Sequence, residues 1–381
     1  MDGPAKGRSG NADISGTMAR AANIAWFVSP HGFGHAARSA AVAGELLRTR
    51  RDVEVHLFTT VPDWFFSGIS ASLKMHPYKV DIGLVQRDAM VADMPATLTA
   101  LDEFLPFDEK TVERLARQVY AVDAALVVCD IAPLGIAVAE RAGLPSVLLE
   151  NFTWDWIYRG LGETGFEGFS AYFADWFERA DYRIQTEPLC EHRSADLLIP
   201  PISRPLHESR STVRQALDIG EEEKLVFCSM GGNSQQFPAV RRMKIHWPNL
   251  RFVIAGGEIE DVDDNVTLIP HHSEFDHPSL VAASDLVVGK LGYSTIAEVF
   301  NAGVPFCGFS RPDYSEMPPL EKFVREKMPA KVFGMQDFES GDWLNAIPHM
   351  LELGQNHPSA GGAGLCASFL EKLLPPARAS V

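Results

Sequence analysis

Short apolar runs alternate with helix-like patterns along the chain, and their order predicts the fold. In the first half, an apolar run at residues 23–29 ends in a glycine-rich turn at 30–34, and a helical pattern follows at 35–50. A second apolar run occupies 53–60, and the same order recurs between residues 125 and 151. Strand, helix and strand in this order form a βαβ unit, so the first half is predicted to contain a parallel sheet.

The second half repeats this pattern after a break in the sequence. The segment 197–211 contains three prolines and no periodic pattern, which predicts a domain boundary at about 200–210. Apolar runs resume at 224–230, 251–257 and 285–290. Ligands of open parallel sheets bind beyond the carboxyl ends of the strands. We therefore expect an α/β fold with two Rossmann-like, doubly wound halves that face each other across a ligand-binding cleft.

These patterns divide the chain into four predicted parts. We expect a disordered leader at 1–20, a first domain at 21–205, a second domain at 206–374 and a tail at 375–381. The leader is rich in glycine, serine and alanine, and it lacks the apolar stretch of a signal peptide.

Charge and cysteine content narrow the classes of function. The 381 residues include 34 Lys and Arg against 50 Asp and Glu, a formal net charge of −16. That charge argues against broad binding of nucleic acid or anionic membranes, because both need clustered cations. No apolar run approaches the ~20 residues that span a bilayer. The five cysteines are scattered without a CxxC pair, which favours a reduced, cytoplasmic protein over a disulfide framework or a zinc site.

The segment SPHGFGHAAR contains the first candidate for catalysis. Gly32 and Gly34 permit a tight turn and the close approach of a ligand to the backbone. His35 falls at the predicted helix start, with Arg38 one turn later on the same face. An imidazole in this position can serve as a general base, although a histidine that only caps or packs the helix fits the spacing equally well. The glycines do not form the GxGxxG dinucleotide fingerprint.

Asp130 ends a predicted buried strand in CDIAP. It should therefore lie on the same rim of the sheet as His35. A carboxylate there can fix the imidazole tautomer and stabilise the imidazolium, as the third member of a catalytic triad does. The alternative is a carboxylate that only caps the following helix.

The segment GKLGYSTIAEV is a candidate phosphate site at a strand end and helix start. Gly292, Ser294 and Thr295 can offer N–H groups and hydroxyls to a phosphate, and Lys290 adds a charge. Glu298 lies one turn into the helix, where a carboxylate can accept bonds from both hydroxyls of a ribose. Ordinary Ser/Thr capping of a helix explains much of the same pattern.

Two further segments could contact a ligand, and a third is interpreted as a solvent-exposed loop. The loop SMGGNS, with Gly231, Gly232 and Asn233, is a second anion-sized nest. In NFTWDWIY, Trp154 and Trp156 could stack on an acceptor and Asn151 could hydrogen-bond it. A buried aromatic plug is an equally good interpretation. The acidic run EDVDD contains an Asp-Val-Asp, but we interpret it as a solvated loop and expect no metal site.

Three ordered motifs resemble a known family. HGFGHAAR, VVCDIAPLGIAVAERAGLPSVLLENFTWDWIY and ASDLVVGKLGYSTIAEVFNAGVPF closely resemble the glycosyltransferase-like amino-terminal region of L-arabinokinases and its bacterial stand-alone relatives. More distantly they are similar to GT-B glycosyltransferases, including the peptidoglycan N-acetylglucosaminyltransferase. The likeness spans about residues 23–330, and no GxxxxGK loop of a kinase half is present.

The resemblance implies a role for individual residues. It implies a catalytic base at His35, supported by Asp130. Lys290 departs from the pattern, since many inverting relatives have a phosphate-binding histidine there. The implied contacts to the nucleotide-sugar donor, joined with those read from the motifs, are Gly32, Gly34, Arg38, Gly231, Gly232, Asn233, Lys290, Gly292, Ser294, Thr295, Glu298 and Glu316. The expected acceptor contacts are Asn151, Trp154 and Trp156.

We therefore expect an inverting, metal-independent GT-B glycosyltransferase without a tightly bound cofactor. Its co-substrate would be a nucleotide sugar, a UDP-sugar in the first instance, and its acceptor a small molecule or glycan. A nucleotide-sugar hydrolase shares the GFGHxxR pattern, so a hydrolase in which His35 activates water is one alternative. A non-catalytic nucleotide-sugar-binding protein of the same fold is the other.

Overall fold

The computed structural model describes most of the chain, and its strands form two separate sheets. The described residues are 22–87, 91–230, 240–257, 261–263, 265–270, 275–311, 314–356 and 358–377. Gly231, Gly232 and Asn233 of the predicted anion nest lie outside them. No helix within these ranges is long and apolar enough to cross a membrane.

The first sheet is formed by strands that end at Ile199, and the proline-rich link follows at residues 200–211. Within the described residues it contains β1 (Asn23–Val28), β2 (Val55–Thr59), β3 (Leu73–Pro77), β4 (Ala124–Asp130), β5 (Ser146–Glu150), β6 (Tyr182–Thr186) and β7 (Leu197–Ile199). Their order is β3-β2-β1-β4-β5-β6-β7, and every pairing is parallel. The order reverses at β1, so the carboxyl ends of β1 and β4 lie side by side at the point where ligands bind in such sheets.

Helices cover both faces of this sheet. They are α1 (Phe33–Thr49), α2 (Met94–Phe104), α3 (Glu109–Ala121), α4 (Pro133–Ala142), α5 (Trp154–Gly160) and α6 (Glu167–Glu178). Alternate residues of β1 belong to different apolar clusters, Ala25 and Phe27 on one face and Ile24, Trp26 and Val28 on the other. Burial on both faces explains why β1 is apolar from Ile24 to Val28 instead of alternating with polar residues.

The second sheet is parallel except at one edge. The strands assigned to it are β8 (Lys224–Ser229), β9 (Leu250–Gly257), β10 (Asp261–Asp263), β11 (Val266–Pro270), β12 (Leu286–Lys290), β13 (Phe306–Phe309) and β14 (Ala330–Phe333). Their order is β10-β11-β9-β8-β12-β13-β14. β10 pairs antiparallel with β11, which corrects the loop predicted for Asp-Val-Asp. The connection from β10 to β11 is far shorter than the dozen or so residues that a parallel crossover needs.

The last helix returns to the first half. The helices that follow the link are α7 (Arg210–Ala216), α8 (Val240–His246), α9 (His277–Ala283), α10 (Tyr293–Ala302), α11 (Met317–Lys327), α12 (Met335–Ser340), α13 (Ile347–Glu352) and α14 (Ala363–Leu373). Cys366, Ala367 and Leu370 of α14 pack in the apolar cluster beneath α1. Arg50 also donates to the Pro375 carbonyl at 3.1 Å. The packing of α14 thus corrects the prediction that all of 206–374 belongs to the second half.

Two imidazoles pair at the β2–β3 edge of the first sheet. His56 Nδ1 lies 2.9 Å from His76 Nε2, and the His76 ring stacks on Phe58. Burial lowers the pKa of both imidazoles, and the neighbouring His76 lowers the pKa of His56 further. The folded protein therefore takes up protons here less readily than the unfolded chain does.

This pair makes stability dependent on pH in a defined direction. The His56–His76 pair does not change the free energy of unfolding above the ordinary histidine pKa of about 6.5. It lowers that free energy as pH falls below this value. His76→Phe keeps the ring on Phe58 and should reduce the loss of unfolding free energy between about pH 7.5 and about pH 5. Urea unfolding at the two pH values measures it. His349→Gln, at an exposed histidine, is the control, and equal losses in wild type and His76→Phe would contradict the prediction.

Candidate active site

A cleft of about 500 Å³ lies between the two halves, and loops at the ends of their strands line it. The β1–α1 loop contributes Gly32, Gly34, His35 and Arg38 from the first half. The second half contributes Lys290, Gly292, Ser294, Thr295, Arg311 and Glu316. The fold thus brings most of the described candidate residues to one place.

The glycines of the β1–α1 loop permit its tight geometry. Gly32 precedes the first residue of α1 and has φ +70°, a conformation that favours glycine. A Cβ atom at Gly34 would lie 4.0 Å from Ser294 Oγ. The loop therefore brings the start of α1 close to the start of α10 across the cleft.

Asp130 is the centre of a buried polar network. His35 Nδ1 lies 2.9 Å from Asp130 Oδ1, while Arg38 Nε and Ser39 Oγ each donate to Oδ2 at 2.9 Å. A second nitrogen of Arg38 donates to Oδ1. Burial alone would raise the pKa of Asp130, but the Arg38 guanidinium and the bonds from His35 and Arg38 lower it below its usual range. The carboxylate is therefore ionised and holds His35 by one ring nitrogen.

The backbone directly after Asp130 is strained. Ile131 is fully buried and has φ +44°, a left-handed conformation that is an outlier for a β-branched residue. Its N–H donates to the Leu149 carbonyl of β5 at 3.3 Å. Strain of this kind persists only where the surroundings fix the backbone, and here it accompanies the carboxylate that orients His35.

Asn151 extends the network to β5. Arg38 Nη1 donates to the Asn151 side-chain oxygen, and the Asn151 amide donates to the carbonyls of Thr186 at 2.5 Å and Pro188 at 3.3 Å. Asn151 lines the cleft, but both ends of its carboxamide have protein partners. Its position explains how Arg38 is held better than it explains contact with an acceptor.

The second half presents charged groups to the cleft. Burial, followed by the positive charge of Arg311, lowers the pKa of Lys290 to about 8. Arg311 donates to Glu316 at 2.9 Å, and burial raises the pKa of Glu316. Gly292 precedes α10 without a side-chain capping bond. The first N–H groups of this ten-residue helix and the hydroxyls of Ser294 and Thr295 are thus placed for an anion.

Glu298 is not among the residues that line the cleft. Its carboxylate accepts from His277 Nδ1 at 2.6 Å and from Arg204 at 3.3 Å. His277 Nε2 in turn lies 3.0 Å from Ser229 Oγ at the end of β8. Burial would raise the pKa of Glu298, but His277 and Arg204 lower it. Both oxygens that were predicted to bind ribose hydroxyls are therefore engaged by protein groups.

The aromatic segment after β5 is only partly at the cleft. Trp154 lines it, but the ring is buried and its indole N–H donates to Asp81. Trp156 packs against the first apolar core and does not line the cleft. The structure thus brings Trp154 but not Trp156 to the cleft, although both rings pack in the same apolar core.

Sequence reasoning missed two other features beside the cleft. Phe33 lines it and stacks on Phe65 at 5.0 Å between ring centroids, with Trp64, which is 42% exposed, 5.6 Å from Phe33. The residues DWFF, at 63–66 shortly after β2, were the available signal. His31 also lines the cleft, and its place beside Gly32 in the same loop could have identified it.

No metal site is formed by the described part of the chain. Within it, no three His, Cys, Asp or Glu side chains group in a way that could hold a metal ion.

Comparison with known proteins identifies the fold. No family model matches the chain. L-arabinokinase of Arabidopsis thaliana is 29% identical over 339 residues, which cover 87% of this chain and 32% of that protein. The chain thus spans about a third of the length of this relative.

Several solved glycosyltransferase structures have a similar fold over nearly the whole chain. A UDP-glucosyltransferase of Polygonum tinctorium has a TM-score of 0.62 at 15% identity and covers 94% of each chain. The kitacinnamycin glycosyltransferase has a TM-score of 0.60 at 16% identity, with 93% of this chain and 99% of that chain covered. Acinetobacter baumannii MurG has a TM-score of 0.57 at 16% identity, with 92% and 99% covered.

The fold is therefore that of the GT-B glycosyltransferases, with two Rossmann-like halves and a cleft between them. More particularly, the resemblance to L-arabinokinases that the motifs predicted is confirmed by the likeness along 87% of the chain.

The network around Asp130 predicts a large loss of stability when Arg38 is removed. Arg38→Met leaves a buried carboxylate without its guanidinium, which should lower the free energy of unfolding by about 3–5 kcal/mol. Arg48→Met is the matched control on the same helix, since Arg48 forms an exposed pair with Glu45 worth about 0–1 kcal/mol. Urea unfolding of both variants checks the prediction, and similar losses in the two would show that the Asp130 network is not a centre of stability.

Proposed function

We propose that this protein is an inverting glycosyltransferase that uses a nucleotide sugar as donor and His35 as general base. The observation that carries the proposal is the His35–Asp130 pair at the cleft between the two halves. Because Asp130 holds Nδ1, the other ring nitrogen, Nε2, is left to act on a substrate.

The proposed reaction is a single displacement. His35 Nε2 takes the proton of an acceptor hydroxyl while that oxygen attacks the anomeric carbon of the donor sugar. The bond from this carbon to the diphosphate oxygen breaks, and its electron pair leaves with the nucleoside diphosphate. Asp130 stabilises the imidazolium that forms.

The second half is suited to the leaving group. Negative charge grows on the diphosphate as the glycosidic bond breaks, and a cation or helix N-terminus stabilises it. In this proposal Lys290, the N–H groups at the start of α10 and the hydroxyls of Ser294 and Thr295 supply that stabilisation without a metal ion. Gly231, Gly232 and Asn233 are proposed to complete the phosphate site.

The sugar and nucleotide ends of the donor are assigned to two carboxylates. Glu316 lines the cleft beside Lys290 and is proposed to accept a bond from the donor sugar. Glu298 is proposed to bind the ribose hydroxyls in place of Arg204, the more distant of its two present partners. The Polygonum tinctorium relative is a UDP-glucosyltransferase, and this supports a UDP-sugar as the first donor to test.

The first half is proposed to bind the acceptor. Phe33, Trp64 and Phe65 form an aromatic cluster at one edge of the cleft, and Trp154 lies at its wall. Aromatic rings bind flat molecules and sugar rings by stacking. The Polygonum tinctorium relative glucosylates indoxyl, and a small molecule or glycan is the proposed acceptor class here. We also propose a cytoplasmic location, since the five cysteines are free.

Removal of the base should abolish most of the turnover. His35→Ala should lower kcat by about 10²–10⁴-fold, while the affinity for the nucleotide sugar changes little. Asp130→Asn should lose nearly as much, because the two residues act as one unit. Turnover is measured as nucleoside diphosphate release from a panel of nucleotide sugars, with an acceptor extract present. His349→Gln is the control for a histidine remote from the cleft.

The same assay without acceptor separates transfer from hydrolysis. Transfer requires that release depend on the acceptor and that the sugar appear on it. Release at full rate from donor alone would instead identify the hydrolase, with water as the nucleophile. Binding of nucleotide sugar without turnover under either condition would support a non-catalytic binding protein, and wild-type turnover in His35→Ala would refute the proposed base.

Lys290 predicts a pH dependence of donor binding. The protonated ammonium binds the diphosphate, so affinity should fall as pH rises through about 8, where free Lys290 loses its proton. Lys290→Ala should weaken binding by roughly tenfold or more near neutral pH, the value of one charge-assisted hydrogen bond, and should remove this pH dependence.

Lys290→Arg provides the matched control. A guanidinium keeps its charge at high pH, so the affinity of this variant should no longer fall above about pH 8. Isothermal titration with UDP, and with GDP in parallel, measures both effects. An affinity that is unchanged in Lys290→Ala would place the diphosphate elsewhere in the cleft.

A further inference from the structure

His31 is a second imidazole in the β1–α1 loop, and the reaction described above does not use it. The side chain is half-buried and lines the same cleft as His35. The backbone N–H of Leu84 donates to His31 Nδ1 at 3.3 Å. The ring also meets Trp154 edge-on, with centroids 5.0 Å apart and planes at 90°. One orientation of the ring is therefore favoured.

The segment with Gly83 and Leu84, which contacts the His31 ring, is also held in place. Gly83 approaches His31 so closely that a Cβ atom there would lie 2.7 Å from Nδ1. Its φ of +64° is also a conformation that favours glycine. The carbonyl of Gly83 accepts from the Tyr158 hydroxyl at 2.9 Å. The loop that holds Nδ1 is thus itself held by α5.

The wall behind the ring is fixed by a buried carboxylate. Trp154 and Ser29 both donate to Asp81 Oδ2, the serine at 2.7 Å. The backbone N–H of His31 in turn donates to Ser29 Oγ at 3.4 Å. Trp154 therefore serves as a fixed support for His31, a role that accounts for its buried indole.

These contacts determine the protonation state of His31. A backbone N–H can only donate, so Nδ1 accepts and carries no proton, and the proton of the neutral ring is on Nε2. Burial, followed by the positive charges of Arg311 and Lys290, lowers the pKa of His31 to about 3. The ring stays neutral near physiological pH, and within the described ranges its Nε2 has no hydrogen-bond partner.

His31 lines the cleft in which the donor is proposed to bind. Lys290, Arg311 and Glu316 of the second half line the same cleft as His31 and His35. These groups therefore share one cleft with the proposed base. Cations in this region suit phosphate, whereas a neutral N–H donor suits a hydroxyl oxygen.

We propose that His31 Nε2–H donates a hydrogen bond to a hydroxyl of the transferred sugar and so positions the donor beside His35. This inference rests on the proposed function, since it requires a nucleotide sugar in the cleft. His31 acts as a fixed binding group and exchanges no proton with the substrate. Its rigid support means that little side-chain entropy is lost when the sugar binds.

The test compares each nucleotide sugar with its own nucleoside diphosphate. Isothermal titration of wild type with UDP-glucose, UDP-glucuronate and GDP-mannose selects the tightest donor, and UDP or GDP is its partner ligand. His31→Phe keeps the ring on Trp154 but removes the N–H. This variant should bind the nucleotide sugar about 3- to 10-fold more weakly than wild type, the effect of one neutral hydrogen bond. The nucleoside diphosphate should bind as it does to wild type.

A second variant and measurements at two pH values distinguish the loss of this hydrogen bond from a loss of structure. His31→Gln can place an amide N–H near the former Nε2 and should restore much of the sugar-dependent affinity. His31→Phe leaves the Leu84 N–H unpaired, so its melting temperature is measured alongside. The loss in His31→Phe should be the same at about pH 6 and about pH 8, because His31 is neutral at both.

The outcomes separate this inference from the proposed function. Equal weakening of nucleotide sugar and nucleoside diphosphate would move the contact to a phosphate and overturn the assignment to the sugar. Unchanged affinities in a folded His31→Phe would leave His31 a purely structural residue. If no nucleotide sugar or nucleoside diphosphate binds wild type, the proposed function fails and this inference fails with it.

Discussion

A buried carboxylate without a partner is destabilising by several kcal/mol, and the candidate site depends on how the fold meets that constraint at Asp130. The groups that surround this carboxylate all come from the first turns of α1: His35, Arg38 and Ser39. Electrostatics therefore fixes how α1 lies against the end of β4. The same bonds hold His35 by one ring nitrogen, so the network that stabilises the fold also sets the orientation of His35.

Much of this arrangement could be predicted from the sequence, because it follows from local patterns and from one rule of topology. Apolar runs separated by helical patterns predict parallel strands, and strand ends in such sheets share a rim. His35 follows β1 and Asp130 ends β4, and these strands are neighbours where the order reverses. The pairing of the two residues was thus expected from their places along the chain.

Other features could not be predicted, because they depend on contacts between distant segments. Glu298 is engaged by His277 and by Arg204 of the proline-rich link, and no local pattern specifies either partner. Helical periodicity also does not say which sheet an amphipathic helix covers. The return of α14 to the first half therefore appears only in the structure. In α5, both Trp154 and Trp156 pack in the first apolar core, and no local pattern says that only Trp154 also lines the cleft.

The two halves differ in how far their charges are already compensated. In the first half, Asp130 and Arg38 are saturated with partners, and burial of the network makes it rigid. In the second half, Arg311 is paired with Glu316, whereas the lowered pKa of Lys290 reflects a cation removed from water without full compensation. An anion beside Lys290 would supply that compensation. In the proposed reaction, the half that holds His35 is therefore complete in itself, and the half that holds Lys290 gains its missing charge from the donor.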